Sequence, residues 1–528
     1  MNTFAIPQPA DTEYQFKGKT VSIPMKYIIT AAYLYMVVPI VIFFLTWLRW
    51  YVGIPSTFVL CLGLYIIVKG MKSGNNPCLV IPAFPFFIGL VCLLLWVAYS
   101  GLGGLFFQTG DIHYRNAVFR DLINYPWPVI YPETQNALFY YLIFWLVPAL
   151  VGKVGGWAAA NIALLIWGFI GIALIYCLII KLVHPKKNWH MTLIVGLIIF
   201  WSGENLVGLV ISNLFQICYH PVSWGSFEGW LDFARDGYDC SYLYRSNIDA
   251  LCQVYNQAIV PWLAIALTLS SPQIRNFAFI GLCALPYGPI PFIGLLPFFA
   301  VYGIIEITGC VKKGLWKDLL FNVISPQNLA ASLTIFPIFW LFFKANVSFS
   351  TGADGSYFSL FVPIEAFDLP RILTLLLFYL MEFGVYCVFI YPKYKKSPVF
   401  WAVIVALILI PNFKIGTIRD FCMNASLPAL LFLMILVAKY LIDEYRQTFV
   451  FSFGVRYIGL LFALVISMST LLCDCVNKLV LMDEWDVFPY IADNIGTFSD
   501  KQVGDVDWLE NYLVPDYEKT AFFKYIAK

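Results

Sequence analysis

Long apolar runs separated by short polar stretches recur along most of this 528-residue chain. An apolar helix of about 17 or more residues can cross a hydrocarbon core of about 30 Å. Read this way, the chain predicts about thirteen spans. The first six cover residues 27–47, 54–68, 78–99, 157–180, 191–212 and 255–269. Segment 277–307 holds Pro286, Pro289, Pro291 and Pro297 and reads as two short or broken spans. Segments 333–343, 369–391, 399–410, 427–441 and 457–472 complete the series. The expected fold class is an all-α polytopic membrane protein. Residues 1–26 form an amino-terminal segment, 27–473 a transmembrane domain, and 474–528 an acidic tail.

Loop charges set the expected orientation. Lys17, Lys19 and Lys26 precede the first span, and Lys69 and Lys72 follow the second. Lys181, Lys186 and Lys187 follow the fourth, and Lys312, Lys313, Lys317, Lys393, Lys395 and Lys396 fall in later loops. All are cytoplasmic in one consistent arrangement, which follows the positive-inside rule. It requires that residues 137–151 lie on the outer surface and do not cross; Pro148 and the glycines at 152, 155 and 156 suit a surface helix followed by a turn. The outer face then carries a large loop at 100–156, a second at 213–254, and the tail, which is expected to pack over the membrane domain as a cap. No cleavable signal peptide is expected.

Composition narrows the function. The chain is 61% hydrophobic and 12% charged, whereas soluble domains carry about 25% charged residues. A net charge of +2 gives no electrostatic basis for a nucleic-acid partner. No Walker, Rossmann or nucleophile-elbow motif occurs, and no His/Cys spacing suggests zinc. A carboxylate-bound Mg²⁺ or Mn²⁺ stays open as a cofactor. Cys218, Cys240 and Cys252 fall near the second outer loop, with a disulfide as one option.

The first outer loop is the main candidate for chemistry. Asp111, His113, Arg115 and Arg120 lie within ten residues at the edge of the hydrocarbon, with Asn116 among them. Charges there cost free energy unless solvated or used. Their plain alternative is a solvated loop. Glu228, Arg245, Asn247, Asn256, Gln257, Arg419 and Asp420 are assigned to the same face. Asn256 and Gln257 read equally as an amide pair joining helices, and Arg419–Asp420 as a surface ion pair. Glu204 is the most deeply placed acid of this set and suits either a structural role or a ligand path. A carboxylate beside arginines on one membrane face fits group transfer from a lipid-phosphate donor. The carboxylate removes a proton from the acceptor hydroxyl, and the arginines hold the phosphate.

This ordered series resembles the GT-C-type polytopic glycosyltransferases, which use polyprenyl-phosphate-linked sugars. Asp111 matches the acid of their first outer loop, 138–151 the surface helix, and 152–156 the turn. The chain is closer still to a bacterial GT-C-like group of unassigned function. Asp111, Arg115–Asn116, Trp127–Pro128, Glu228 with Trp230, Ser246–Asn247, Asn256–Gln257, and Asp420 through Pro428 carry that likeness. Asn424 departs from it, standing where the pattern has Arg. The resemblance implies a bacterial plasma-membrane enzyme with a polyprenyl-phosphate sugar donor and a glycan, glycolipid or protein acceptor. Asp111 would be the general base, Arg115, Arg245 and Arg419 phosphate contacts. His113, Asn116, Glu228, Asn247, Asn256, Gln257 and Asp420 would orient acceptor or metal. A transporter or flippase, or an envelope polysaccharide polymerase or ligase, is the competing reading.

Overall fold

The structure is a computed structural model describing residues 15–71, 78–108, 112–215, 242–346, 358–360, 368–415, 420–445, 451–484, 489–503, 505 and 509–528. Asp111, Cys218, Glu228, Cys240 and Arg419 lie outside the described residues.

A strand β1 (Thr20–Pro24) leads into α1 (Met25–Trp47) and α2 (Trp50–Gly70). β2 (Cys78–Pro82) pairs antiparallel with β1 and leads into α3 (Ala83–Tyr99). The loop then carries α4 (Ile112–Asn124) and β3 (Ala137–Leu138) ahead of α5 (Leu146–Val183). Next come α6 (Asn188–Phe200), α7 (Asn205–Phe215), α8 (Asn247–Ser270), α9 (Phe277–Ala284), α10 (Pro289–Lys312), α11 (Trp316–Val323) and α12 (Pro326–Lys344). β4 (Phe358–Leu360) and α13 (Leu369–Tyr379) follow, and a π-helical turn, Leu380–Gly384, joins α13 to α14 (Val385–Tyr394). The chain continues through α15 (Pro398–Leu409), β5 (Phe413–Ile415), α16 (Asp420–Ala425), α17 (Leu427–Glu444), α18 (Phe451–Ser467) and α19 (Ser469–Glu484). β6 (Leu513–Val514) lies in the tail and pairs with β3.

The protein is thus an all-α polytopic membrane protein. Among the described residues nine helical segments are long and apolar enough to cross a membrane, or ten if the bent pair α6–α7 is one span. Ala83–Tyr99, Ile274–Tyr287 and Pro398–Asn412 are shorter apolar helices. Segment 78–99 therefore differs from its expected form: its first five residues are strand, and Pro82 caps the helix. Ile274–Tyr287 rises only about 21 Å, too little to traverse about 30 Å of hydrocarbon. It enters and turns at Gly288, and α10 runs back until Gly303 packs beside Ile274.

Two helices form the centre. In α8 and in the α16–α17 segment, 94% of the apolar window is buried, whereas α2 turns Phe58, Leu62 and Tyr65 outward. α5 would extend far beyond one crossing if straight. It breaks at Gly156, whose φ of 75° and ψ of −173° leave the helical region. The part before the break covers the stretch expected as a surface helix, and the part after it the stretch expected as the span.

The bundle has two distinct ends. At one, Lys17 and Asn188 exchange hydrogen bonds, Gln15 N donates to Lys186 O, and Lys181 Nζ to Ser270 O. Lys393 pairs with Asp443 and Glu444 at 2.9 and 3.2 Å on the same side, where Lys187 covers Tyr445. The other end holds the loop after α3 and the tail. Tyr490 N donates to Gly104 O, and Arg49 N to Ile526 O. Phe522 packs on Phe43 and Phe342.

Candidate functional site

The tail roofs the first large loop through four sets of contacts. Gln108 Oε1 accepts from Asn116 Nδ2 at 2.7 Å and from Ala492 N at 2.9 Å, and Asn116 Nδ2 also lies 2.7 Å from Ala492 O. Arg120 pairs with Asp493 at 2.6 Å and covers the Trp157 ring at 4.7 Å. Asp121 accepts from the Tyr131 hydroxyl at 2.7 Å, the Thr497 hydroxyl at 2.7 Å and Phe498 N at 2.9 Å. Tyr512 stacks on Tyr114, Tyr140 and Phe498, with centroids 5.3, 4.7 and 5.3 Å apart. Burial pushes the Asp121 carboxyl above its ordinary value; its three hydrogen bonds and Arg120 only partly offset this.

α4 begins immediately after Asp111 in sequence and carries Arg115 on its buried side. Arg115 is 4% exposed and lies within electrostatic reach of the Tyr255 hydroxyl, which accepts from Trp145 Nε1 at 2.9 Å. Tyr255 stands on α8 directly after Val254, whose φ of −139° interrupts the helix. Asn256 and Gln257 follow. They are fully enclosed, and Asn256 Nδ2 and Oδ1 and Gln257 Oε1 bond to nothing among the described residues. Such atoms cost about 1–3 kcal/mol each when left unbonded, so they mark a place built to receive polar groups. Gln257 packs on Gly288. Gly294, further along α10, lies against the Ala425 carbonyl so closely that a Cβ there would collide with it. Six residues of helix separate these two glycines, a rise of about 9 Å. Asn424, the neighbour of Ala425, likewise has a buried Oδ1 without a hydrogen-bond partner among the described residues.

The expected site residues divide into groups. Arg115 is within electrostatic reach of Tyr255, the residue before Asn256 and Gln257, and all four are buried. His113 sits half-exposed on α4 and Asp420 half-buried at the start of α16. Asn116 is a clamp for the tail. Asn247 staples α8 to α6, its N donating to Trp201 O at 3.0 Å and its Nδ2 to Ile198 O at 2.8 Å. Arg245 is ion-paired with Asp249 one turn on, so its charge is already neutralised. Asp111, Glu228 and Arg419 lie outside the described residues. No group of three His, Cys, Asp or Glu side chains able to hold a metal occurs among the described residues. Cys252 is a free buried thiol that accepts from Lys478 Nζ at 2.9 Å.

A second polar cluster lies where α6 breaks into α7. Glu204 N donates to Met381 O, and the Tyr386 hydroxyl donates to Ser202 O at 2.7 Å and contacts Glu204 Oε1 at 3.2 Å. Glu382, in the π-helical turn, packs its carboxyl against Gly203. Glu204 Oε2 and Glu382 Oε1 are buried without a hydrogen-bond partner. Glu382 is absent from the residues singled out by sequence, although a lone acid in the apolar segment 369–391 is a visible signal. No protein-family model and no curated protein sequence matches the chain.

Proposed function

We propose that this protein is a membrane glycosyltransferase of GT-C-like architecture. It moves a sugar from a polyprenyl-phosphate donor to a cell-envelope acceptor at the end of the bundle roofed by the tail. In this reading the three shorter apolar helices join the longer ones in a membrane domain of about thirteen segments. The lysine-rich end faces the cytoplasm of a bacterial cell and the tail faces outward. Asp111 removes the proton from the acceptor hydroxyl as the C–O bond to the lipid phosphate breaks. Arg115 neutralises the departing phosphate, and Asn256, Gln257 and Asn424 hydrogen-bond the sugar.

One observation carries this reading. A buried arginine, four residues after the candidate base, stands within electrostatic reach of Tyr255, and the two residues that follow Tyr255 on its helix are buried amides with unused donors and acceptors among the described residues. The test incubates the purified chain with polyprenyl-phosphate-linked hexose and pentose donors and follows label transfer and release of the lipid phosphate. Turnover by the wild type that disappears in Asp111→Asn supports the reading; no release from any such donor overturns it.

A transporter or flippase is the second reading, favoured by Glu204 and Glu382. Acids at interruptions of two neighbouring spans are a recurrent feature of transport pathways. Glu382→Gln separates the two readings. It would abolish flux of a lipid-linked substrate across proteoliposomes if the chain transports, and leave sugar transfer intact if it does not.

A further inference from the structure

At the lysine-rich end, opposite the proposed transfer site, a cavity of about 290 Å³ opens between α1, α2, the end of α5, the α8–α9 connection and the start of α12. Lys26, Lys181 and Arg275 line it together with the polar side chains of Gln273, Asn276 and Gln327. Among the described residues no Asp or Glu contributes to the lining. None of the three cations takes part in an ion pair among the described residues: Lys181 donates to the Ser270 carbonyl, and Lys26 lies 5.0 Å from the Tyr27 ring centroid. Gln327 is 1% exposed, donates Nε2 to Asn276 Oδ1 at 3.0 Å, and keeps its buried Oε1 unpartnered. Three positive charges around one concavity, with no acid beside them among the described residues, focus a field suited to an anion. The remaining wall is apolar, built from methionine and isoleucine side chains of α1 and α2.

Depth decides which anion. Tyr27 and Tyr65, on the two helices that form the apolar wall, are 61% and 57% exposed. Lys69 covers Tyr65 as Lys26 covers Tyr27. Exposed tyrosines paired with lysines at helix ends mark the headgroup level of a bilayer. The cavity therefore offers cations at the height of lipid phosphates and apolar side chains toward the acyl chains. We propose that it binds the phosphate-bearing headgroup of an anionic phospholipid. Arg275 and Lys26 contact the phosphate oxygens, and Gln273 and Asn276 bond the polar substituent. This inference does not rest on the glycosyltransferase reading.

The test is native mass spectrometry of the full chain in detergent with added dioleoylphosphatidylglycerol or dioleoylphosphatidylcholine. Phosphatidylglycerol is expected to be retained preferentially. Lys26→Gln/Arg275→Gln should weaken that retention about tenfold or more, since each charge-assisted hydrogen bond contributes substantially. Arg275→Gln alone, at an exposed side chain, should give part of the loss without disturbing folding. Lys313→Gln, on the same end outside the cavity, should change nothing. Equal retention of the two lipids would overturn the proposal, as would a Lys313→Gln loss equal to that of Lys26→Gln/Arg275→Gln. Complete displacement of phosphatidylglycerol by millimolar inorganic phosphate would make this a soluble-anion site and overturn it as well.

Discussion

Two regions at opposite ends of the bundle treat charge in opposite ways. Where the tail meets α4, Arg120 is paired to Asp493 and Asp121 accepts three hydrogen bonds. These partners reach across 376 and 377 residues in the case of Thr497 and Phe498. At the lysine end the pairs of Lys393 with Asp443 and Glu444 stand apart from an open cavity that Lys26, Lys181 and Arg275 surround with no acid in its lining among the described residues. The tail contact is closed by the chain itself, and the cavity is left to its surroundings. Away from that cavity, Asn256, Gln257 and Asn424 carry buried amide atoms without partners among the described residues. Under the proposed transfer reaction, a tail held by paired charges would serve to keep water from the reacting groups.

The largest expected effect tests whether the roofed end is the chemical one. Asp111→Asn should lower sugar transfer by about 10²–10⁴ by removing the base, while the melting temperature and tail protection stay at wild-type values. Normal turnover in a folded Asp111→Asn protein would move the chemistry elsewhere. Next in size is the roof itself. Asp121→Ala strips the acceptor from Phe498 N, the Thr497 hydroxyl and the Tyr131 hydroxyl. A cost of about 2–3 kcal/mol follows for groups left buried and unbonded. Limited proteolysis should then cut the tail between Glu484 and Leu509 much faster than in wild type. Unchanged cleavage would show that the aromatic stack on Tyr512 holds the tail without Asp121.

The third prediction separates two arginines of one helix. Arg115→Ala should raise the donor's apparent dissociation constant about tenfold or more, because one charged hydrogen bond is worth roughly 1.5–3 kcal/mol. Arg120→Ala should leave donor affinity alone and cost about 1 kcal/mol of stability, the scale of a partly exposed ion pair with a ring contact. Titration of donor against both purified variants decides it. Equal donor affinities in wild type and Arg115→Ala would take Arg115 out of the site.

The helical, multi-span character could be read from the chain, because apolar length acts locally. The break at Gly156 followed from a glycine-rich turn after an apolar surface stretch. Residues 78–82 misled the reading because a short apolar run is the same in a strand and at a helix start; Pro82 was the cue that could have ended it. The site was harder. Asn116 and Asn247 look like ligand-orienting amides in sequence, yet one clamps the tail and the other ties α8 to α6. Nothing local distinguishes such clamps from binding groups, since the partner of Asn116 lies 376 residues away. Arg245 and Asp249 stand at helical i, i+4 spacing, a legible pairing. Glu382 was legible too, as an acid inside an apolar helix.

The smallest effect is a pH dependence, and its sign follows from Asp121. Burial holds its folded-state carboxyl above the value it has in the unfolded chain. The folded, roofed state therefore keeps the proton over a range in which the unfolded chain has lost it. Below the unfolded value both states are protonated, and the contribution to stability is fully present. As pH rises from there through the raised folded value the contribution is lost, because the unfolded state releases its proton more readily. Tail docking should thus be tighter at mildly acidic pH and loosen toward neutrality. Hydrogen exchange at the Phe498 amide, followed across that range, reads the balance at the residue concerned. Protection should fall with rising pH beyond the intrinsic base-catalysed rate in wild type, and the excess should vanish in Asp121→Asn, whose amide oxygen still accepts but cannot ionise. An identical excess in both proteins would place the pH response outside Asp121, which would then be a fixed anchor.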